Sequence, residues 1–124
     1  MRCPCRKKSE TTSYADCCQP YHAGTAAAPT AETLMRSRYA AYALKNAEYL
    51  RATWQPSTGA DQIDFLPDQE WLSLRILASR EIGDAATVEF VARSRIAGRS
   101  YVLHETSRFV RQTGRWLYVD GAIA

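Results

Sequence analysis

From Trp71 to the C-terminal end, apolar residues of this 124-residue chain recur at every second position. Leu72, Leu74 and Ile76 alternate with polar residues, as do Val88, Phe90 and Ala92. "RSYVLHETSRFVRQTGRWLYVDG" continues the pattern. Successive side chains of a strand point to opposite faces, so each segment has one face to bury. Turn residues at Gly83-Asp84, Ala97-Gly98 and Gln112-Thr113-Gly114 divide the run into four strands joined as hairpins. A meander of this kind needs a cover for its apolar face.

The preceding segment supplies helices. Thr30 is an N-cap candidate with Glu32 in the first turn. Met35, Tyr39, Tyr42 and Asn46 follow at helical spacing, and Leu34 and Ala43 widen the stripe. Asn46 is placed to cap a shorter helix, "AEYLRATW", with Tyr49, Leu50 and Trp54 on its apolar side. Gln55-Pro56 ends it, because a residue before proline avoids the helical region. "STGADQID" reads as a turn-rich link and "FLPDQE" as a helical turn. Helices followed by a meander make an α+β layout. Hydrophobic residues at 46% and charged residues at 23% give a packed globular chain. A net charge of +3 does not point to nucleic acid. No apolar run reaches the roughly 18 residues of a membrane span, and no signal-like apolar segment opens the chain. A cytoplasmic address is expected.

All four cysteines, Cys3, Cys5, Cys17 and Cys18, lie in the first eighteen residues. A reducing compartment disfavours disulfides, and adjacent cysteines rarely bridge. Four thiolates closing one loop suit a structural zinc ion, which takes four ligands in a tetrahedron. His22 is a rival fourth ligand, and its other reading is a hydrogen bond near the junction with the main domain. Arg6, Lys7 and Lys8 follow the first pair, where cations offset the charge of a thiolate-bound ion.

The Cys-Pro-Cys and Cys-Cys pairs resemble the SEC-C motif, a short zinc-binding element of many bacterial proteins and of the preprotein translocase ATPase. Arg6 stands where that motif carries a turn glycine, and the gap between the pairs is longer than usual. Together with "LMRSRYAAY", "YLRATWQP", "VEFVAR", "ETSRFVR" and "GRWLYVDG", the chain resembles the YchJ-like family of uncharacterised bacterial proteins. That resemblance implies a zinc arm over residues 1–24 and a nuclear transport factor 2-like, cone-shaped (cystatin-like) domain over 25–124. It implies a curved four-stranded sheet wrapped on helices, a pocket between them in some relatives, and dimerisation through the outer sheet face in others.

Alternation puts Glu105, Ser107 and Phe109 on one strand face and His104, Thr106 and Arg108 on the other. With Phe109 in the core, Glu105 needs an interior partner, and Arg36 or Arg38 is the expected one. A pocket acid or base is the alternative for Glu105. His104 reads as a surface histidine and Asp120 as a turn cap before Gly121. Tyr39, Tyr42, Trp54, Trp71 and Trp116 read as core aromatics rather than a ligand cage. No phosphate loop, nucleophile elbow or HExxH pattern occurs. Three functions remain open: a protein-binding module using the Arg6–Lys8 surface, a small enzyme with Glu105 or Asp120 as base, and a thiol redox or metal-handling protein.

Overall fold

The computed structural model describes residues 1–7, 9–59 and 62–123. Three helices precede four strands: α1 (Gln19–His22), α2 (Ala31–Ala43), α3 (Ala47–Ala52), β1 (Gln69–Ile82), β2 (Ala85–Ile96), β3 (Arg99–Gln112) and β4 (Arg115–Ile123). The strands form one antiparallel sheet in the order β1-β2-β3-β4. The expected α+β layout is therefore the one observed. Among the described residues, no helix is long and apolar enough to cross a membrane.

Both expected caps form. The Thr30 hydroxyl accepts from the Thr33 amide at 3.1 Å, and the Asn46 side chain accepts from the Tyr49 amide at 3.1 Å. These oxygens satisfy amides that have no partner inside the helix. The short α1 lacks a periodic signal in the sequence; Pro20 lies in its first turn, where a missing amide costs nothing. "FLPDQE" is a turn at Pro67-Asp68 leading into β1, not a helical turn. At the β2–β3 hairpin, Ala97 and Gly98 both take positive φ, 51° and 81°. This pairing gives the left-handed two-residue turn that matches strand twist.

The even-numbered residues Ala86, Val88, Phe90, Ala92 and Ser94 of β2 are all buried, so this face is the core. On β1 the alternation breaks twice, between Trp71 and Ser73 and between Ile76 and Ala78. Each break leaves a residue without a partner, Leu72 in one and Leu77 in the other. The periodicity places Leu72 with Leu74, whereas the bulge takes Leu72 out of the ladder. A third irregularity, between Arg108 and Phe109, sits at the pairing with β4. Bulges bend strands, which lets the sheet wrap α2.

Leu34, Met35, Tyr39 and Ala40 of α2 pack with Val88, Phe90 and Phe109 of the sheet. Phe109 is 1% exposed and is among the largest fully buried side chains. Phe109→Ala should destabilise the domain by about 3–5 kcal/mol, the cost of a large buried cavity. Urea denaturation followed by far-ultraviolet circular dichroism checks this, and a loss below about 1 kcal/mol would contradict the packing described.

Candidate metal centre

The N-terminal segment folds back on itself before it meets α2. The Cys3 amide donates to the Thr12 carbonyl at 3.1 Å and the Tyr14 amide to the Met1 carbonyl at 2.7 Å, beside an antiparallel bridge of Arg2 with Ser13. The Arg6 amide donates to the Cys3 carbonyl at 3.1 Å, closing a tight turn around Pro4 and Cys5. A second turn, with the Cys17 amide donating to the Tyr14 carbonyl at 3.1 Å, brings Cys17 and Cys18 against the first pair. Two turns held by a short ladder thus converge four thiols on one point.

The four sulfurs all lie within 4.8 Å of one another. Adjacent sulfurs are 3.7 Å apart for Cys3–Cys5, 3.6 Å for Cys5–Cys17, 3.7 Å for Cys5–Cys18 and 3.9 Å for Cys17–Cys18. A disulfide needs about 2.0 Å, so these are free thiols. Metal–sulfur bonds of about 2.3 Å in a tetrahedron place the sulfurs about 3.8 Å apart. The observed spacings match that edge, and the residues therefore fit a four-coordinate metal ion.

Acidity points the same way. Hydrogen bonds with Cys18 and then Cys5 hold the Cys3 thiol well below the usual thiol range. The same kind of contact, from Cys3 and Cys5, drives Cys18 far up, and burial adds to it. Thiols this close and this buried cannot all ionise side by side unless a cation lies among them.

The flanking charges complete the centre. Arg6 turns onto the cluster: its Nε donates to the Cys17 sulfur at 3.3 Å and its Nη1 to Glu10 at 3.4 Å. The expectation of a cation offsetting the thiolates thus holds for Arg6, but this guanidinium does not stand free as a partner-facing group. Lys7 is exposed, and Lys8 lies outside the described residues. Arg36 of α2 donates from Nη1 to the Cys5 carbonyl at 3.2 Å and from Nε to Glu32 at 3.4 Å.

His22 is not a ligand. Its Nε2 lies 2.7 Å from the Ser37 carbonyl, which only accepts, so Nε2 is the donor; its Nδ1 pairs with the Tyr14 hydroxyl at 2.6 Å. Both ring nitrogens are thereby spent on joining the arm to α2. Cys3, Cys5 and Cys18 are at most 2% exposed and belong to the same buried cluster as Leu34, Met35 and Tyr39. The cysteine arm is thus packed into the core beside α2.

The expected pairing of Glu105 with Arg36 or Arg38 is also corrected, since no ion pair joins them among the described residues. Arg36 is drawn to the metal loop. Arg38, 2% exposed, donates from Nη1 to the Leu50 carbonyl at 2.9 Å and to the Thr53 hydroxyl at 2.7 Å. Its guanidinium carbon lies 4.5 Å from the Tyr118 ring centroid and 5.2 Å from that of Trp54. Burial lowers the pKa of this group, yet an arginine stays charged, and the ring faces and carbonyl take the place of a carboxylate. Glu105 does face inward, as alternation requires, and accepts from the Ser107 hydroxyl at 3.0 Å. His104 pairs with Glu89 at 2.7 Å on the outer face. Asp120 is a strand residue, not a turn cap: it accepts from Arg108 at 2.6 Å on β3.

With the geometry in place, comparison with known proteins is informative. A family model described as the middle, nuclear transport factor 2-like domain of YchJ matches residues 30–121. A UPF0225 protein of Polaromonas naphthalenivorans is 46% identical, over 96% of this chain and 95% of its own. One of Bordetella pertussis is 50% identical, over 98% and 92%. A solution structure of a SEC-C motif containing protein from Rhodopseudomonas palustris superposes with a TM-score of 0.87 at 40% identity, covering 100% of this chain and 99% of the other. A crystal structure of such a protein from Psychrobacter arcticus gives 0.80 at 31% identity, covering 98% and 82%.

Protein purified under reducing conditions without chelator should carry about one metal ion per chain by elemental analysis. Because the cluster shares the core with α2, removing the ion with a strong chelator should lower the thermal midpoint. Cys18→Ser should do the same without chelator. Metal-free protein of unchanged midpoint would contradict the role assigned to the cluster.

Proposed function

Because the chain belongs to the YchJ-like UPF0225 family, with a nuclear transport factor 2-like domain and a SEC-C-type cysteine cluster, we propose that it is a zinc-stabilised, non-enzymatic binding module. The observation that carries this reading is the spacing of the four sulfurs. Four protein ligands at tetrahedral spacing leave no position for water or substrate, which is the pattern of a structural ion. Soft thiolate ligands favour zinc over the hard divalent cations. When bound, zinc would neutralise thiolates and cross-link the two turns. The chain's own residues do the rest. Arg6 donates to Cys17, while Arg36 and His22 fix the loop to α2.

Thiol chemistry is the weaker alternative. Three sulfurs are buried, and Arg6 lies against the fourth. Exchange or oxidation needs an accessible thiolate. A non-enzymatic role also accords with Glu105 having Ser107 as its hydrogen-bond partner rather than a second carboxylate or histidine.

The exposed Lys7 is the proposed recognition element, together with Lys8, the next residue in the sequence. The segment is pinned at both ends by cysteines and from behind by α2, so little ordering entropy is lost on association. Its charge suits an acidic segment of a partner protein in a reducing cytoplasm, with salt-dependent association. The test is affinity capture from the native cytosol with wild type and a Lys7→Glu/Lys8→Glu variant, which leaves every metal ligand in place. A specific protein should be captured by wild type, lost in the variant, and released by added salt. Equal capture by both would remove the basis for the arm as the recognition surface, with metal content measured in parallel to keep the zinc reading separate.

A further inference from the structure

The sheet does not close completely on α2. A cavity of about 240 Å³ remains between them, walled chiefly by the rings of Tyr39, Tyr42, Trp71, Phe90 and Tyr118. Rings on α2, β1, β2 and β4 meet there because the sheet curves around the helix. Tyr39 and Trp71 stand edge to face at 5.7 Å, which holds both planes in fixed orientation.

Into this apolar wall the fold places one carboxylate. Glu105 is half-buried on the inner face of β3, opposite Phe90. Its Oε2 accepts from Ser107 at 3.0 Å, and its Oε1 has no hydrogen-bond partner among the described residues. The position depends on the neighbouring strand. Gly121 pairs with Ser107, and a Cβ on Gly121 would come within 2.5 Å of the Glu105 Cδ and Oε2. β4 therefore leaves out a side chain where the carboxylate rests. An oxygen without a donor on the wall of a ring-lined cavity is available to a ligand's N–H, and a charge-assisted bond there is stronger than a neutral one.

Arg38 lines the same cavity, but its Nη1 is committed to Leu50 and Thr53 and its flat face to Tyr118 and Trp54. Beside the Tyr39 hydroxyl, which is buried without a hydrogen-bond partner among the described residues, the carboxylate is thus the available acceptor. A compact ammonium would meet the Arg38 charge across a small space, whereas a flat ring with delocalised N–H groups satisfies both the acceptor and the walls. The geometry points to a ligand site for a small planar nitrogen heterocycle of the 2-amino type, whose adjacent N–H groups match the two oxygens of the Glu105 carboxylate. This site is separate from the metal centre and from the arm surface, and stands or falls independently of them.

The test uses metal-loaded full-length protein, isothermal titration calorimetry and three probes: 2-aminobenzimidazole, benzoate and cyclohexylamine. Saturable binding of 2-aminobenzimidazole, tighter than either of the others, is the expected result. Glu105→Gln should weaken it by about tenfold or more, the worth of a charge-assisted hydrogen bond. Gly121→Ala, which displaces the carboxylate, should weaken it as well, and His104→Gln on the outer face should leave it unchanged. Thermal unfolding of each variant identifies any that has lost its fold; the ranking of the three probes on wild type tests the site without variants. Benzoate binding as tightly as 2-aminobenzimidazole would make Arg38 the reader and overturn the proposal. So would unchanged affinity in a folded Glu105→Gln, or no saturable binding of 2-aminobenzimidazole.

Discussion

A four-stranded sheet with one apolar face must be covered, and in this chain a single thirteen-residue helix, α2, does most of the covering. Everything else is arranged around that contact. The sheet bends at three irregularities to follow the helix. α3 returns beneath it, where the Tyr49 hydroxyl meets the Ser37 hydroxyl at 2.7 Å and the Leu50 carbonyl receives Arg38. The cysteine cluster lies against the same helix through Arg36 and the buried Cys3, Cys5 and Cys18. Hydrophobic burial supplies the driving force, and the polar contacts fix how the helix is placed on the sheet.

The parts of this arrangement that are local in the chain are readable from the residues alone. Thr30 and Asn46 announce their caps because an N-cap needs only its own side chain and an amide three residues on. The four strands follow from a period of two, and the inward placement of Glu105 follows from Phe109. The metal cluster is legible because four cysteines in one short segment, two of them adjacent, match the ligand count of a tetrahedral ion. His22 as a junction hydrogen bond is legible by its position.

What the residues do not disclose depends on distant neighbours. Charge complementarity suggests Glu105 for Arg38, yet Arg38 is taken up by a helix-end carbonyl and two aromatic faces. No local pattern encodes that, because Trp54 and Tyr118 are brought together only by the backbone contact of α3's end with β4. Leu72 obeys a period of two until a bulge removes it from the ladder, and bulges have no reliable signature in one sequence. Gly121 looks like a turn residue beside Asp120; its reason is the Glu105 carboxylate on the adjacent strand.

The two bulges in β1 have an effect beyond curvature. β1 is an edge strand of fourteen residues, and an edge of that length offers a row of open amides and carbonyls to any passing strand. Breaking the pleat at Leu72 and again at Leu77 means that a second chain could register with only part of the edge at a time. Arg75 and Arg80, both exposed on that strand, set charge along the same border. The distortion that fits the sheet to its helix also makes the chain a poor template for edge-to-edge aggregation.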